Sequence, residues 1–180
     1  MRRNLGPTDD FMQLYVVPND GRTLVVGSKV YESRVDERKK FKDALGVDML
    51  DGHGVDLVHN MECPMPESAG RFDHVECRSV LEHAKQPWLV AMTIEDVMQP
   101  GASIFVGVPW VWRYHGYPDD YWRFTPSSLA VLFPRIDWKI IKLVTCRKVA
   151  DKLPSIQSPA GDIFFERTQV MGFGYRSRTA

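Results

Sequence analysis

Apolar residues in this chain come in short runs broken by polar turns, and the runs switch between two periods. Residues 23–26 are a β-branched run closed by Gly27-Ser28, the pattern of a buried strand entering a turn. Residues 34–45 are charged, with Phe41, Ala44 and Leu45 at helical spacing, which predicts a short helix. Residues 46–49, 55–59 and 72–77 read as the second, third and fourth strands, with a loop over 64–70. Pro87 sits where a first helical turn tolerates proline, and Val90, Ile94, Val97 and Met98 follow as an amphipathic stripe that Pro100-Gly101 is expected to stop. Residues 102–108 are almost wholly apolar, as in a strand covered on both faces. A polar and aromatic loop spans 110–124. Thr125 and Pro126 then make a helix start whose inner face is Leu129, Leu132 and Phe133, with Pro134 as the stop. Residues 138–144 and 164–173 read as the last two strands, joined by a loop rich in proline and serine.

Strands that alternate with helices predict a parallel sheet wound by right-handed crossovers. Ligands of such sheets bind beyond the carboxyl ends of the strands, where the strand order reverses, so the turn residues there are the first place to look for chemistry. The length of 180 residues suits one α/β domain over 1–180, with a core of about 22–175.

Composition narrows the partners. The chain is 44% hydrophobic and 26% charged, the balance of a globular domain. It carries 23 basic and 23 acidic side chains, so nothing in its net charge draws it to phosphate backbones, and nucleic acid is not expected as a partner. Arg2, Arg3, Arg176 and Arg178 are read as solvated termini. Cys63, Cys77 and Cys146 are odd in number and scattered without a CxxC, which points to reduced thiols. No leader pattern and no apolar stretch of about 20 residues is visible. The expectation is a cytoplasmic protein without a membrane span, with self-association left open.

Two stretches carry a family likeness. One is Phe72-Asp73-His74-Val75 through Ser79-Val80-Leu81-Glu82-His83, followed by Gln99-Pro100-Gly101-Ala102. The other runs from Val108-Pro109 through His115-Gly116-Tyr117-Pro118-Asp119-Asp120-Tyr121-Trp122-Arg123-Phe124-Thr125-Pro126. In order and spacing they resemble the small class I S-adenosylmethionine-dependent methyltransferases of the type 11 kind, over roughly three-fifths of the chain. The resemblance implies a Rossmann-like three-layer sandwich, with a mostly parallel seven-stranded sheet and an antiparallel last strand. It also implies S-adenosyl-L-methionine as cofactor and methyl transfer to an oxygen or nitrogen of a small-molecule or sugar-like acceptor.

Carried onto this chain, the resemblance puts the cofactor at the ends of the first strands. Gly27, beside Ser28, would let backbone approach the methionine tail closely. Asp48, beside Met49, would accept from the ribose hydroxyls. Asn60 and Met61 would read and cover the adenine, with Asn60 accepting from its amino group, and Arg78 would complete the set. The turn after strand one departs from the family pattern, since Val26-Gly27-Ser28-Lys29-Val30-Tyr31 holds a single glycine. That departure supports a second reading, a methyltransferase-like domain without activity that serves as a binding or assembly module.

Methyl transfer asks a protein mainly for alignment, and for a base when the acceptor keeps its proton at neutral pH. His83 and His115 are the candidates, because an imidazole titrates near that pH. Tyr117, Asp119, Asp120, Tyr121 and Arg123 are the candidate acceptor-binding residues, with Trp122 and Phe124 expected to pack. A metal site from His83, His115, Asp119 and Asp120 is a rival that matches no known ligand spacing, so no metal is expected. Cys77 is read as a small buried residue.

Overall fold

The computed structural model describes residues 11, 20–31, 35–116, 118–145, 156–158, 161–163 and 167–178. Seven strands form one sheet: β1 (Arg22–Val26), β2 (Asp43–Asp48), β3 (Leu57–Val58), β4 (Phe72–Arg78), β5 (Met98–Val111), β6 (Ile136–Thr145) and, after a two-stranded hairpin of β7 (Ile156–Ser158) and β8 (Gly161–Ile163), β9 (Thr168–Arg176). Their order across the sheet is β3-β2-β1-β4-β5-β9-β6. β1 to β5 pair in parallel, and β9 runs antiparallel between β5 and β6. This is the mostly parallel, Rossmann-like sheet with an inverted last strand.

The core follows from the alternation of side chains along β5. Ile104, Val106 and Val108 face α1 (Pro87–Val97) and α2 (Pro126–Leu132), while Phe105 faces the other side with Phe11, Met171 and Phe173. α1 buries Val90, Ile94 and Val97 of the expected stripe, with Ala91 beside them, while Met98, the fourth member, opens β5. Val90, Ile94 and Val97 each contribute about 1.5–3 kcal/mol on leaving water. α2 starts in a reciprocal cap: Thr125 Oγ1 accepts from the Ser128 amide (2.9 Å), and Ser128 Oγ accepts from the Thr125 amide (2.8 Å). Glu95 of α1 accepts from the backbone amide and the Nε of Arg135 (2.7 and 2.8 Å), which ties α1 to the turn between α2 and β6.

Three expectations are corrected. The helix predicted over 34–45 is one turn of 3₁₀ helix, Glu37–Lys40, capped by Asp36, and Ala44 and Leu45 belong to β2. The free edge of β1 offers these residues a full parallel ladder (Arg22 opposite Asp43, Val26 opposite Val47), which outweighs a stripe of three apolar residues. Pro100-Gly101 lies inside β5, where the register against β4 slips between Phe72 and His74, so the irregularity is absorbed as a bulge. The segment expected as a loop before the last strand contains the β7–β8 hairpin.

Strand order reverses between β1 and β4: β2 and β3 lie to one side and β5 to the other. The ladder sets Val26 opposite both Val47 and Cys77, so Gly27, Asp48 and Arg78 emerge side by side at the carboxyl ends of three adjacent strands. Among the described residues no helix is long and apolar enough to cross a membrane.

Candidate active site

A cavity of about 900 Å³ opens at that reversal point. One end is made largely by backbone. Gly27 turns out of β1 with φ of +70°, its amide donating to the Val47 carbonyl (2.8 Å). A Cβ here would meet Val80 Cγ2 at 2.4 Å, so the position needs glycine twice over. Asp48 lines the cavity with its carboxylate already aimed, Oδ2 accepting from the Lys29 amide (3.1 Å) and Oδ1 from the Leu50 amide (3.0 Å). Each oxygen keeps a lone pair for a ligand. Met49, Asn60 and Met61 line the same end, with Met61 buried beneath it. Asn60 Oδ1 accepts from the Glu62 amide (3.0 Å), which leaves its NH₂ as the group to present, a donor where an acceptor was expected.

The glycines expected after β1 have a counterpart across the turn. Gly54, at φ of +93°, brings its backbone so close to the Ser28 carbonyl that a Cβ would lie 2.5 Å from it. The 28–30 turn is thus packed from outside by the 52–54 loop. Ser28 pays in solvent contact for that packing: it is buried, and the cavity is lined on either side of it by Gly27 and Lys29.

The other end is made by side chains. Ser79 leaves β4 with φ of +52°, a strained position for a residue with a Cβ, and starts the one-turn 3₁₀ helix Leu81–His83. That turn delivers Glu82 and His83 to the cavity wall, while the loop after β5 delivers His115, Asp119 and Tyr121. The two segments are stapled together. The amides of Tyr121 and Trp122 donate to the Glu82 carbonyl (2.8 and 3.3 Å), and Trp122 Nε1 donates to the Ala84 carbonyl (2.9 Å).

The two histidines meet edge to face, with ring centroids 5.0 Å apart. His83 Nδ1 lies 2.5 Å from the Asp119 carbonyl and His115 Nδ1 lies 3.1 Å from the Arg113 carbonyl. A carbonyl can only accept, so both Nδ1 atoms carry protons and both Nε2 atoms present bare lone pairs. Those lone pairs converge on Glu82 Oε1, at 3.8 Å from His83 and 3.9 Å from His115. Glu82 is 1% exposed and its Oε2 has no hydrogen-bond partner. Burial pushes its carboxyl up to about 8, and the nearby Asp120 carboxylate adds to the effect. Burial also holds the His83 imidazole below its ordinary value.

Asp120 and Arg123 stand behind this wall, not in it, so their expected contact with the acceptor is replaced by a bracing role. Asp120 is fully enclosed, accepts from Arg123 Nη1 and Nη2 (2.5 and 2.8 Å) and from the His115 amide (2.8 Å), and lies 3.1 Å from His115 Nδ1. The Arg123 guanidinium holds its carboxyl well below the usual carboxylate range. Arg123 also donates to the Arg113 carbonyl (3.1 Å), so the pair fixes the loop that carries His115.

Asp119 and Tyr121 line the cavity as expected, linked by the Tyr121 hydroxyl donating to Asp119 Oδ2 (2.7 Å). Arg78 lines it with its guanidinium paired to Glu37 (2.5 Å) and Glu76. Tyr117 and Cys146 lie outside the described residues; Cys77 is buried. The sequence reading missed Glu82 and also Glu62, whose Oε1 accepts from the amides of Lys85 and Gln86 (2.6 and 3.2 Å) and so ties the β3 loop to the start of α1. A glutamate set between Leu81 and a histidine in an apolar turn was the available signal for Glu82.

By sequence, the chain matches no protein-family model and no curated protein. Its structure does have neighbours. A candidate methyltransferase of Bacillus halodurans C-125 superposes with a TM-score of 0.67 at 10% identity, over 94% of this chain and 98% of that one. An S-adenosylmethionine-dependent methyltransferase of Archaeoglobus fulgidus superposes at 0.64 and 13% identity, over 94% and 93%. The Burkholderia thailandensis 1,6-didemethyltoxoflavin-N1-methyltransferase, solved with 1,6-didemethyltoxoflavin and S-adenosylhomocysteine, superposes at 0.64 and 12% identity, over 95% and 76%. The chain has the fold of the class I S-adenosylmethionine-dependent methyltransferases.

Proposed function

We propose that this protein transfers the methyl group of S-adenosyl-L-methionine to an oxygen or nitrogen of a small-molecule or sugar-like acceptor. The observation that carries the reading is one open cavity whose two ends are built for different work, with a pre-aimed carboxylate and a close-packed glycine turn at one and bare imidazole nitrogens at the other. The residues present fit the cofactor. The cavity runs from the Gly27 turn to Asp48, Asp48 keeps lone pairs on both oxygens, and among the described residues no side chain fills the hollow between them. A domain that had become a mere assembly module would have no need to keep that hollow clear, which favours catalysis.

When bound, the cofactor supplies an electrophilic methyl on a sulfonium whose departure as a thioether is already favourable. The remaining work belongs to the chain. Asp48 accepts from the ribose hydroxyls, with Met49 beside it. The Asn60 amide donates to an adenine ring nitrogen over the apolar floor of Met61. The Gly27 turn admits the methionine tail, and Arg78 closes that end. Asp119 and Tyr121, with Tyr117, orient the acceptor. The Nε2 atoms of His83 and His115 face it as the groups able to take a hydroxyl proton. Alignment in a partly desolvated cavity is the main source of acceleration.

Calorimetry with S-adenosylhomocysteine tests the reading. Wild-type protein should bind it, and Asp48→Ala should weaken binding about 10- to 100-fold through loss of charge-assisted hydrogen bonds. Absence of binding by the wild-type protein overturns the proposal.

A further inference from the structure

We propose that Glu82, His83 and His115 form a binding site for one divalent transition-metal ion at the acceptor end of the cavity. The argument begins with lone pairs. His83 Nε2, His115 Nε2 and a Glu82 carboxylate oxygen lie within 4.8 Å of one another. Both imidazoles spend their only N–H on backbone carbonyls on the far side of the ring, so neither places a proton between the three atoms. At 3.8 and 3.9 Å the nitrogens are too far from Glu82 Oε1 for hydrogen bonds. With the Glu82 carboxyl ionised, three electron-rich atoms face one another across the cluster, and a cation at their centre offsets their repulsion. A carboxylate oxygen with no partner, on a side chain 1% exposed, is the second sign of an absent positive group.

The dimensions suit an ion. A circle through atoms with these separations has a radius of roughly 2.2–2.5 Å, and metal–imidazole and metal–carboxylate bonds run at about 2.0–2.2 Å, so a shift of a few tenths of an ångström completes the contact. The surroundings suit one too. Ligating histidines typically donate their other N–H to a carbonyl or carboxylate, and here both do: His83 to Asp119, and His115 to Arg113 with Asp120 alongside. Two imidazoles and one carboxylate favour a first-row ion of the Mn²⁺-to-Zn²⁺ group over Mg²⁺ or Ca²⁺, which prefer all-oxygen sets.

Three protein ligands leave positions open toward the cavity, the mark of an ion that binds a further molecule and not one that only holds the fold. Granting the methyl-transfer reading, those positions define the acceptor class: an oxygen acceptor with two neighbouring donor atoms, such as a vicinal diol or a hydroxy acid, gripped by the ion beside Asp119 and Tyr121. His83 and His115 then act on the acceptor through the ion.

The test is a titration of chelator-treated protein with Co²⁺, followed by its visible absorption and by calorimetry, with no cofactor present. The expected result is one ion per chain with the spectrum of nitrogen–oxygen coordination. Glu82→Gln, close to isosteric, and His115→Ala should each weaken binding at least about 100-fold. S-adenosylhomocysteine calorimetry on the same metal-free samples reports whether each variant is folded. Failure of wild-type protein to bind Co²⁺, or equal binding by folded Glu82→Gln and His115→Ala, overturns the site and leaves the imidazoles as proton acceptors. Cobalt binding without S-adenosylhomocysteine binding keeps the ion site and removes the methyl-transfer reading, so the two failures are told apart.

Discussion

The two ends of the cavity are built on opposite plans. At the Gly27–Asp48 end the ladder of parallel strands does the placing: consecutive β-ends are brought into line by register, and backbone amides aim the one carboxylate. At the His83–His115 end nothing is in register. A 3₁₀ turn and a long loop, 32 positions apart at the two histidines, are held by two backbone hydrogen bonds to Glu82, by Trp122 Nε1 and by the Asp120–Arg123 pair. A site that a sheet positions is robust to change in its side chains, while a site that a loop positions depends on the few contacts that fix the loop.

That contrast can be broken from the side-chain end first. Asp120→Ala strands the partly exposed Arg123 guanidinium, removes the hydrogen bonds that end on the carboxylate and frees the 113–123 loop, a loss of about 2–3 kcal/mol. Urea unfolding should show that loss, while S-adenosylhomocysteine affinity stays within about twofold of wild type for the protein that remains folded. An equal loss of cofactor affinity would mean that the two ends are one unit. The converse is Gly27→Ala, smaller in stability at about 1–3 kcal/mol for a Cβ at φ of +70° that also displaces Val80. It should weaken S-adenosylhomocysteine binding more than Co²⁺ binding.

The smallest effect lies outside both ends and calibrates them. Asp36 accepts from the Arg38 amide, Nε and Nη2, and these hydrogen bonds hold its carboxyl below the ordinary value. A folded-state value below the unfolded one means that unfolding takes up a proton in acid. The stabilisation is therefore full above about pH 4 and is lost as pH falls toward the folded value. Asp36→Asn should lose about 1 kcal/mol at pH 7 and show a shallower decline than wild type below about pH 4 in pH-dependent thermal unfolding. Parallel curves would remove Asp36 as a source of acid sensitivity.

What the sequence disclosed divides along the same line. β1, β4, the apolar middle of β5, and both helices were legible because each carries a local signal: a β-branched run, an all-apolar run, a stripe, or a Thr125-Pro126 start. Gly27, Asp48, Asn60 and Met61 could be nominated because the family resemblance implies a cofactor at the ends of the first strands, which the sheet brings together. The 34–45 segment was misread because its three apolar residues gave a weak period, and the edge of β1 decided the outcome from 21 residues away in sequence. Asp120 and Arg123 looked like acceptor contacts since charge in a loop has no local sign of which way it turns. Glu82 passed unnoticed because its isolation is a property of what surrounds it, and those partners come from His115 and the loop after β5.

One contact joins the two halves. Val80 places a methyl group in the space that Gly27 leaves empty, and Glu82 and His83 lie two and three residues further along the same turn. Residue 80 is therefore a hinge-pin shared by both halves: Val80→Ala loosens the bend at Gly27 and Val80→Ile crowds it, and either change is passed along the chain to the turn that carries Glu82 and His83.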